Sequence, residues 1–440
     1  MDSTIIMKEP IICTADEAVK NIQSGMRIFI QGSAATPLTL LDALARRKHE
    51  LQNVELVSMS TYGGDLFSDP EFEGHFYLNS LFVSSNVRNI VNSGAGDYIP
   101  VFLSEIPRLF DQNILPLDIA FVNVSPPDKH GYCSLGTSVD ISRSAIRNAK
   151  YTIAQVNKKM PRTHGDGIIH ISRFDTLVYV DQDLPTVSYA EKIDEASMSI
   201  GRYCAELIED RSTLQMGIGH IPDAVMSCLH NHKDLGIHTE MFSDGLLPLI
   251  EEDVITNKYK KKHRGKIVTG FVVGSRKLYD FVDDNPMVSF LDIDYVNDAS
   301  IIRCNPKAVS INSAIEIDIT GQVCSDSIGT YQFSGVGGQI DFMRGAALSE
   351  GGKPIIAISS TTHKGGSKIV PTLKTGAGVV TTRAHMHYIV TEFGVANLFG
   401  KNLAQRAYEM LKVANPMHHE MLDKAIFERF GKRYFAGNTL

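Results

Sequence analysis

The six cysteines, Cys13, Cys133, Cys204, Cys228, Cys304 and Cys324, form no C-x-x-C pair and no metal-ligand spacing. That argues against a zinc ribbon, a dithiol redox centre or a disulfide framework, and they are read as free thiols. No run approaches the roughly 18 apolar residues that a membrane-spanning helix needs. The start, MDSTIIMKEP, lacks the basic segment and apolar stretch of a secretory signal, so the protein is expected to be cytoplasmic. Positive charge is also short: 43 Lys and Arg against 50 Asp and Glu leave a formal charge of −7, unlike a nucleic-acid binder that neutralises phosphates. No low-complexity linker is present. What remains is a chain of 440 residues, 43% hydrophobic and 21% charged, with an ordinary globular composition and length enough for about two or three domains.

Within that length the chain is written twice. Strand, glycine turn and proline-opened helix in MRIFIQGSAATPLTLLDAL, near Met26, are answered by TLQMGIGHIPDAVMSCL, near Thr213. Aligning Gly32 on Gly217, and the turn Asp128-x-x-Gly131 on Asp318-x-x-Gly321, gives nearly the same offset. Aligning the strand at Lys150 on that at Lys353 gives a larger one, so the second half has gained residues between Asp318 and Lys353, a stretch that contains SGVGGQIDF. Short runs rich in Val and Ile (RIFI, VELVSM, NIVNS, DIAFVNV, YTIAQV, TLVYV) alternate with helical patterns, the signature of parallel strands joined by crossover helices. The fold class is α/β, with two similar open α/β domains expected at residues 1–190 and 191–440. The boundary is placed in the polar stretch from Asp181 to Ser197. Thr36 and Pro37 are expected to open a helix through Arg47, Pro222 to open another, and a helical tail to run from about Asn402 to Phe430.

In open α/β sheets the ligand sits beyond the carboxyl ends of the strands, so the residues just after each apolar run are the candidates. Glu240 follows the run from Leu235 to His238; it reads equally as a nucleophilic carboxylate or as a helix-start cap. GIGHIP, from Gly217 to Pro222, sets backbone amides at a helix start, either as an anion or carbonyl site or as a plain tight turn. SGVGGQIDF, from Ser334 to Phe342, reads as a nest of amides able to hold an oxyanion, or as a hairpin tip. In HKGGSKIVPTLKTGAG, from His363 to Gly378, lysines and glycines either receive phosphates or form a solvated loop.

The motifs QMGIGHIPDAV, GIHTEMFSDG, SINSAIEIDITGQV, FSGVGGQIDF, GGSKIVPTL and VTEFGVANLFGKN together resemble the acetyl-CoA hydrolase/transferase family along essentially the whole chain. The resemblance implies that Glu240 is the catalytic carboxylate of a CoA-transferase moving CoA between a short-chain acyl-CoA, 4-hydroxybutyryl-CoA or butyryl-CoA, and acetate, in a cleft between the halves. Gly337 and Gly338 would supply the oxyanion amides. Gly217, Ile218, Gly219, His220 and Ile221 would line the pantetheine and thioester with Ala314 and Ile315, while Asn312 would either hydrogen-bond substrate or serve as a turn residue. Ser367 and Lys368 would meet the CoA phosphates, Gln31 and Ser33 would form an opposite wall, and residues from Met59 to Gly64 would bear on acyl-chain size. Coenzyme A is then a co-substrate, no cofactor is bound permanently, and a homodimer or higher homo-oligomer is expected, with no nucleic-acid or membrane partner.

Other tempting residues are read blandly. His385 and His387 lack a third ligand, so no metal is expected. His230 and His232 are assigned to a helix end, and YKKKHR, Tyr259 to Arg264, to a solvated loop. The GIG turn lacks the G-x-G-x-x-G of a dinucleotide fold. A thioester hydrolase using the same groups stays open, since only water exclusion separates the two activities, and so does a non-catalytic binding protein. Succinate would need a further cation for its far carboxylate, and no arginine is placed for it, so short uncharged tails are expected.

Overall fold

The computed structural model describes residues 9–62, 67, 69–188 and 193–431. The chain divides into two compact units: the described residues of Met1–Val187 with Val268–Val296, and those of Ser188–Ile267 with Asn297–Leu440. The first unit thus takes in the segment Val268–Val296, which lies well beyond residue 190, itself outside the described residues. That segment's strand Val288–Phe290 pairs in parallel with His164–Gly165 of the first unit, a long-range contact with no local signature in the sequence.

The first unit is built on an eight-stranded sheet. In spatial order its strands are Ile11–Ile12, Thr176–Val180, Tyr151–Asn157, Ile119–Val124, Arg27–Ile30, Val54–Ser58, Phe76–Ser80 and Gly96–Tyr98. All the pairings are parallel. Ile119–Val124 is buried at all its positions, as a central parallel strand must be when both faces are covered. The helix Leu38–Arg46 lays Leu40, Leu41 and Leu44 into the core beside Ile28, Ile30 and Phe121.

The second unit's sheet has six strands, in the order Gly236–Ile237, Thr213–Met216, Ala308–Asn312, Lys353–Ala357, Tyr388–Thr391 and Gly394–Asn397. Only the last pairing is antiparallel. The repeat survives in detail: Gly131 and Gly321 both adopt positive φ and both donate their N–H to the carbonyl of the turn's Asp, Asp128 or Asp318, at 2.9 Å.

Several local expectations differ. NIVNS belongs to the helix Arg88–Ser93, closed by Gly94 at φ 88, because only Ile90 faces the core and the run carries a helical rather than an alternating burden. The strands Phe76–Ser80 and Gly96–Tyr98 went unread: both lie near the sheet's edge, where half-buried polar positions dilute the apolar pattern. Pro37 itself occupies the cap of Leu38–Arg46, and the Thr36 hydroxyl donates instead to the Ser33 carbonyl. Pro222 lies inside the first turn of His220–Ser227. The tail is two helices, Leu403–Lys412 and His419–Phe430, parted at Asn415 and Pro416. The glycines of SGVGGQIDF stand on no hairpin. They lead into the helix Gln339–Leu348, and the hairpin of the added stretch is Ser327–Ile328 with Tyr331–Gln332.

Candidate active site

The strand order of the second unit reverses between Thr213–Met216 and Ala308–Asn312, where Met216 stands opposite Ile311. A ligand of an open α/β sheet sits beyond the carboxyl ends at such a point. Gly236–Ile237, on the other side of Thr213–Met216, carries the chain to that same end, and Glu240 comes just after it. The approach is fixed: the Thr239 hydroxyl lies 3.2 Å from the Met216 carbonyl oxygen and 2.8 Å from that of Met241, a donor to either.

Glu240 Oε2 accepts a hydrogen bond from Asn297 Nδ2 at 3.1 Å, and the same amide nitrogen lies 3.3 Å from Asp341 Oδ2. The residue as a whole keeps some surface, but dense packing around its carboxyl makes desolvation the dominant influence. Burial pushes its pKa up to about 7; the Asn297 bond pulls it down, and the Asp341 charge adds to the rise.

The glycine segment meets this carboxyl. Gly338 caps the helix Gln339–Leu348, and a methyl group built on it would overlap both Glu240 Oε2 and Asn297 Nδ2. Only a residue without Cβ lets the backbone come so near. Gly337 holds φ at +54, a left-handed turn that also favours glycine. The start of a ten-residue helix, with its positive dipole end, therefore stands beside the carboxylate. A desolvated carboxylate poised near neutral pH next to such a helix start suits attack on a carbonyl whose oxygen becomes an oxyanion.

Gly217, Ile218 and Gly219 are half-buried, Gly219 holds φ at +115, and His220 is exposed at the start of His220–Ser227 with Ile221 buried behind it. Gly217 shares with Met216, Thr239 and Ser243 an apolar cavity with room for about 10 Å³. Asn312 is committed to the sheet: its Nδ2 lies 3.0 Å from Gln215 Oε1 and 2.8 Å from Ser310 Oγ. The Ile315 N–H donates to the Cys324 carbonyl, and Ala314 is half-buried. Lys368 Nζ lies 3.1 Å from Ser359 Oγ and burial holds its pKa below the ordinary lysine value, while Ser367 donates to the Ile369 carbonyl. In the first unit Gln31 is wholly buried, its amide donating to the carbonyls of Leu135 and Ser138 while its oxygen accepts from the Asn123 N–H. Ser33 is buried beside it, at φ +53. Of the stretch from Met59 to Gly64, residues 63 and 64 lie outside the described residues.

Asn297 and Asp341 were not singled out from the sequence; Asp341 lies inside the glycine motif, but nothing marks Asn297, which reaches Glu240 only through folding. Asp223, in the helix that follows Gly219, was also unread: burial, aided by the Asp244 charge, raises it to about 6. YKKKHR is not wholly solvated, since Lys260 is 3% exposed. His232 meets the carbonyls of Ala205 and Ile208, and His230 meets Glu252. His385 Nδ1 meets the Thr382 hydroxyl and His387 stacks on Phe399. Among the described residues no group of three or more His, Cys, Asp or Glu is arranged to hold a metal, and no helix is long and apolar enough to cross a membrane.

The acetyl-CoA hydrolase/transferase N-terminal domain model matches residues 9–188 and the C-terminal domain model residues 274–426. The succinyl-CoA:acetate/propanoyl-CoA:succinate CoA transferase of Fasciola hepatica is 52% identical over 94% of this chain and 87% of its own length. The 4-hydroxybutyrate coenzyme A transferase of Clostridium kluyveri is 47% identical over 97% of this chain and 99% of its own. Among solved structures, the 4-hydroxybutyrate CoA-transferase of Porphyromonas gingivalis matches with a TM-score of 0.83 at 38% identity, covering 96% of this chain and 98% of that one.

Proposed function

This chain belongs to the acetyl-CoA hydrolase/transferase family, and from that premise we propose that it moves CoA between a short-chain acyl-CoA, 4-hydroxybutyryl-CoA or butyryl-CoA, and acetate, with Glu240 as nucleophile. The enzyme is a CoA-transferase, and coenzyme A is its co-substrate. The observation that carries the role of Glu240 is its desolvated carboxyl, pushed up to about 7, beside the glycine-opened start of Gln339–Leu348.

The chemistry explains why a carboxylate is needed. Glu240 attacks the thioester carbonyl, the C–S bond breaks, and a mixed anhydride and CoA thiolate result. The thiolate attacks the glutamyl carbonyl, which releases the acid as its carboxylate and leaves a glutamyl-CoA thioester. Acetate then reverses the sequence, and acyl activation is conserved because each intermediate is itself an activated acyl group. Every step passes an oxyanion, and the amides near Gly337 and Gly338 are the donors that would receive it, each worth about 3 kcal/mol in other enzymes. Water must be kept out, since hydrolysis competes.

The test is incubation with butyryl-CoA or 4-hydroxybutyryl-CoA and excess acetate, following acetyl-CoA and free thiol separately. Acetyl-CoA without free thiol, lost in Glu240→Ala, is the expected result; free thiol that forms without acetate would make the protein a hydrolase. A second acyl donor is favoured by the Fasciola hepatica relative, whose name includes succinyl-CoA, so succinyl-CoA belongs in the same panel.

A further inference from the structure

We infer that Lys260 is a positioning residue for Glu240, acting through the carbonyl of Ile237; the inference rests on the reading of Glu240 as nucleophile. Gly236–Ile237 lies at the edge of its sheet, with Thr213–Met216 as its one strand neighbour. An open edge leaves backbone groups unpaired. Here a loop closes it. The Leu235 N–H donates to the Val254 carbonyl at 2.8 Å, Asn257 Oδ1 accepts from the Ile237 N–H at 2.8 Å, and Lys260 Nζ donates to the Ile237 carbonyl at 2.5 Å. Both polar groups of Ile237 that face away from the sheet are thus held by side chains. Beyond Ile237 only His238 and Thr239 separate this clamp from Glu240.

The clamp is built in, not incidental. Lys260 is 3% exposed and its Nζ also donates to the Lys266 carbonyl at 2.7 Å, so its two acceptors are carbonyls. Its stem lies flat on Gly236, where an added methyl would come within 2.7 Å of Lys260 Cγ. Burial brings its pKa down to about 7. A neutral amine still carries two N–H groups for those two carbonyls, so the clamp holds in either charge state. Burying a lysine without a carboxylate is costly, and an apolar side chain would fill the same space. The donors to Ile237 and Lys266 are what distinguish it.

The test uses the full chain with Lys260→Met, which keeps the stem and removes the donors, and Asn257→Ala, which releases Ile237 from the N–H side. Expected in both is a fall in kcat for CoA exchange of about tenfold or more, with KM for the acyl-CoA within about twofold, because small misplacement of a nucleophile costs rate rather than binding. Asn257→Ala decides the matter should Lys260→Met fail to fold. Unchanged kcat per folded molecule with a lowered melting temperature would reduce Lys260 to a purely structural role and overturn the inference. Should the wild type exchange no CoA, the functional reading fails, and carboxyl ¹³C titration of Glu240 still decides the positioning role. A midpoint displaced by about half a pH unit or more in the variants is expected, and an unmoved midpoint overturns it.

Discussion

At the scale of single residues, Glu240 couples activity and stability to pH in opposite senses. Its pKa is raised above the ordinary carboxylate value, to about 7, chiefly by burial. In the proposed role of Glu240 the attacking form is the ionised one, so kcat/KM with an acyl-CoA should climb close to tenfold per pH unit below about 7 and level off above it. Folding disfavours that same form. The stability contribution is complete below the ordinary carboxylate range and is lost as pH rises through about 7, so wild type should lose melting temperature relative to Glu240→Gln between about pH 5 and 7. The two neighbours shift the midpoint in known directions: Asp341→Asn removes a raising charge and should lower it, whereas Asn297→Ala removes a lowering bond and should raise it. A rate profile of the three proteins checks both signs, and coincident midpoints would mean that Glu240 is not the titrating nucleophile. Following a strand made Glu240 a candidate in the sequence, equally readable as a cap, and only the family resemblance pointed to catalysis; its pKa was not legible there. Burial sets that pKa and Asn297 and Asp341 adjust it, and both the burial and their nearness to Glu240 exist only after folding.

At the scale of elements, the start of Gln339–Leu348 decides the site. Gly338 adopts φ −99 and ψ 9, open to any residue, so Gly338→Ala brings no backbone strain. Its methyl group would instead displace Glu240 and Asn297. Exchange activity should fall by about 100-fold or more while the far-UV spectrum and cooperative unfolding are retained. A Gly338→Ala protein with full activity would remove the glycine segment from the site. Three glycines within four positions were visible in the sequence as a place where backbone comes close to something. Whether they formed a hairpin or a helix start was not visible, because that depends on where the following residues pack. Phe342 and Met343 are buried, and that burial makes the segment helical. The Lys-rich run from Tyr259 to Arg264 misled for a related reason. Charge pattern reports the average preference of lysine for water, and Lys260 departs from it because the open strand edge at Ile237 and the loop at Lys266 each supply a carbonyl in the interior.

At the scale of the whole molecule, the duplication preserved geometry but redistributed load. In the first unit Asp128 Oδ1 accepts the N–H groups of His130 and Tyr132, each at 2.9 Å; in the second Asp318 Oδ1 accepts those of Thr320 and Gln322 at 2.8 and 3.0 Å. The sequence revealed this pairing through the shared spacing of Asp and Gly, since such a turn needs both residue types wherever it occurs. Burial, which spacing does not encode, separates the copies. Asp128 is half-buried and faces Arg162, with water able to replace it. Asp318 is 2% exposed and also takes the Thr320 hydroxyl at 2.7 Å and the Gln322 amide at 3.0 Å. Removing it strands several donors away from water, so Asp318→Ala should cost about 3 kcal/mol. Asp128→Ala should lower the melting temperature by visibly less. Equal shifts in thermal unfolding would mean that local turn geometry, rather than burial, governs what each copy contributes. A larger loss at Asp318 would show that the second unit, which carries Glu240 and the glycine segment, is also the one whose matching turn has become part of the core.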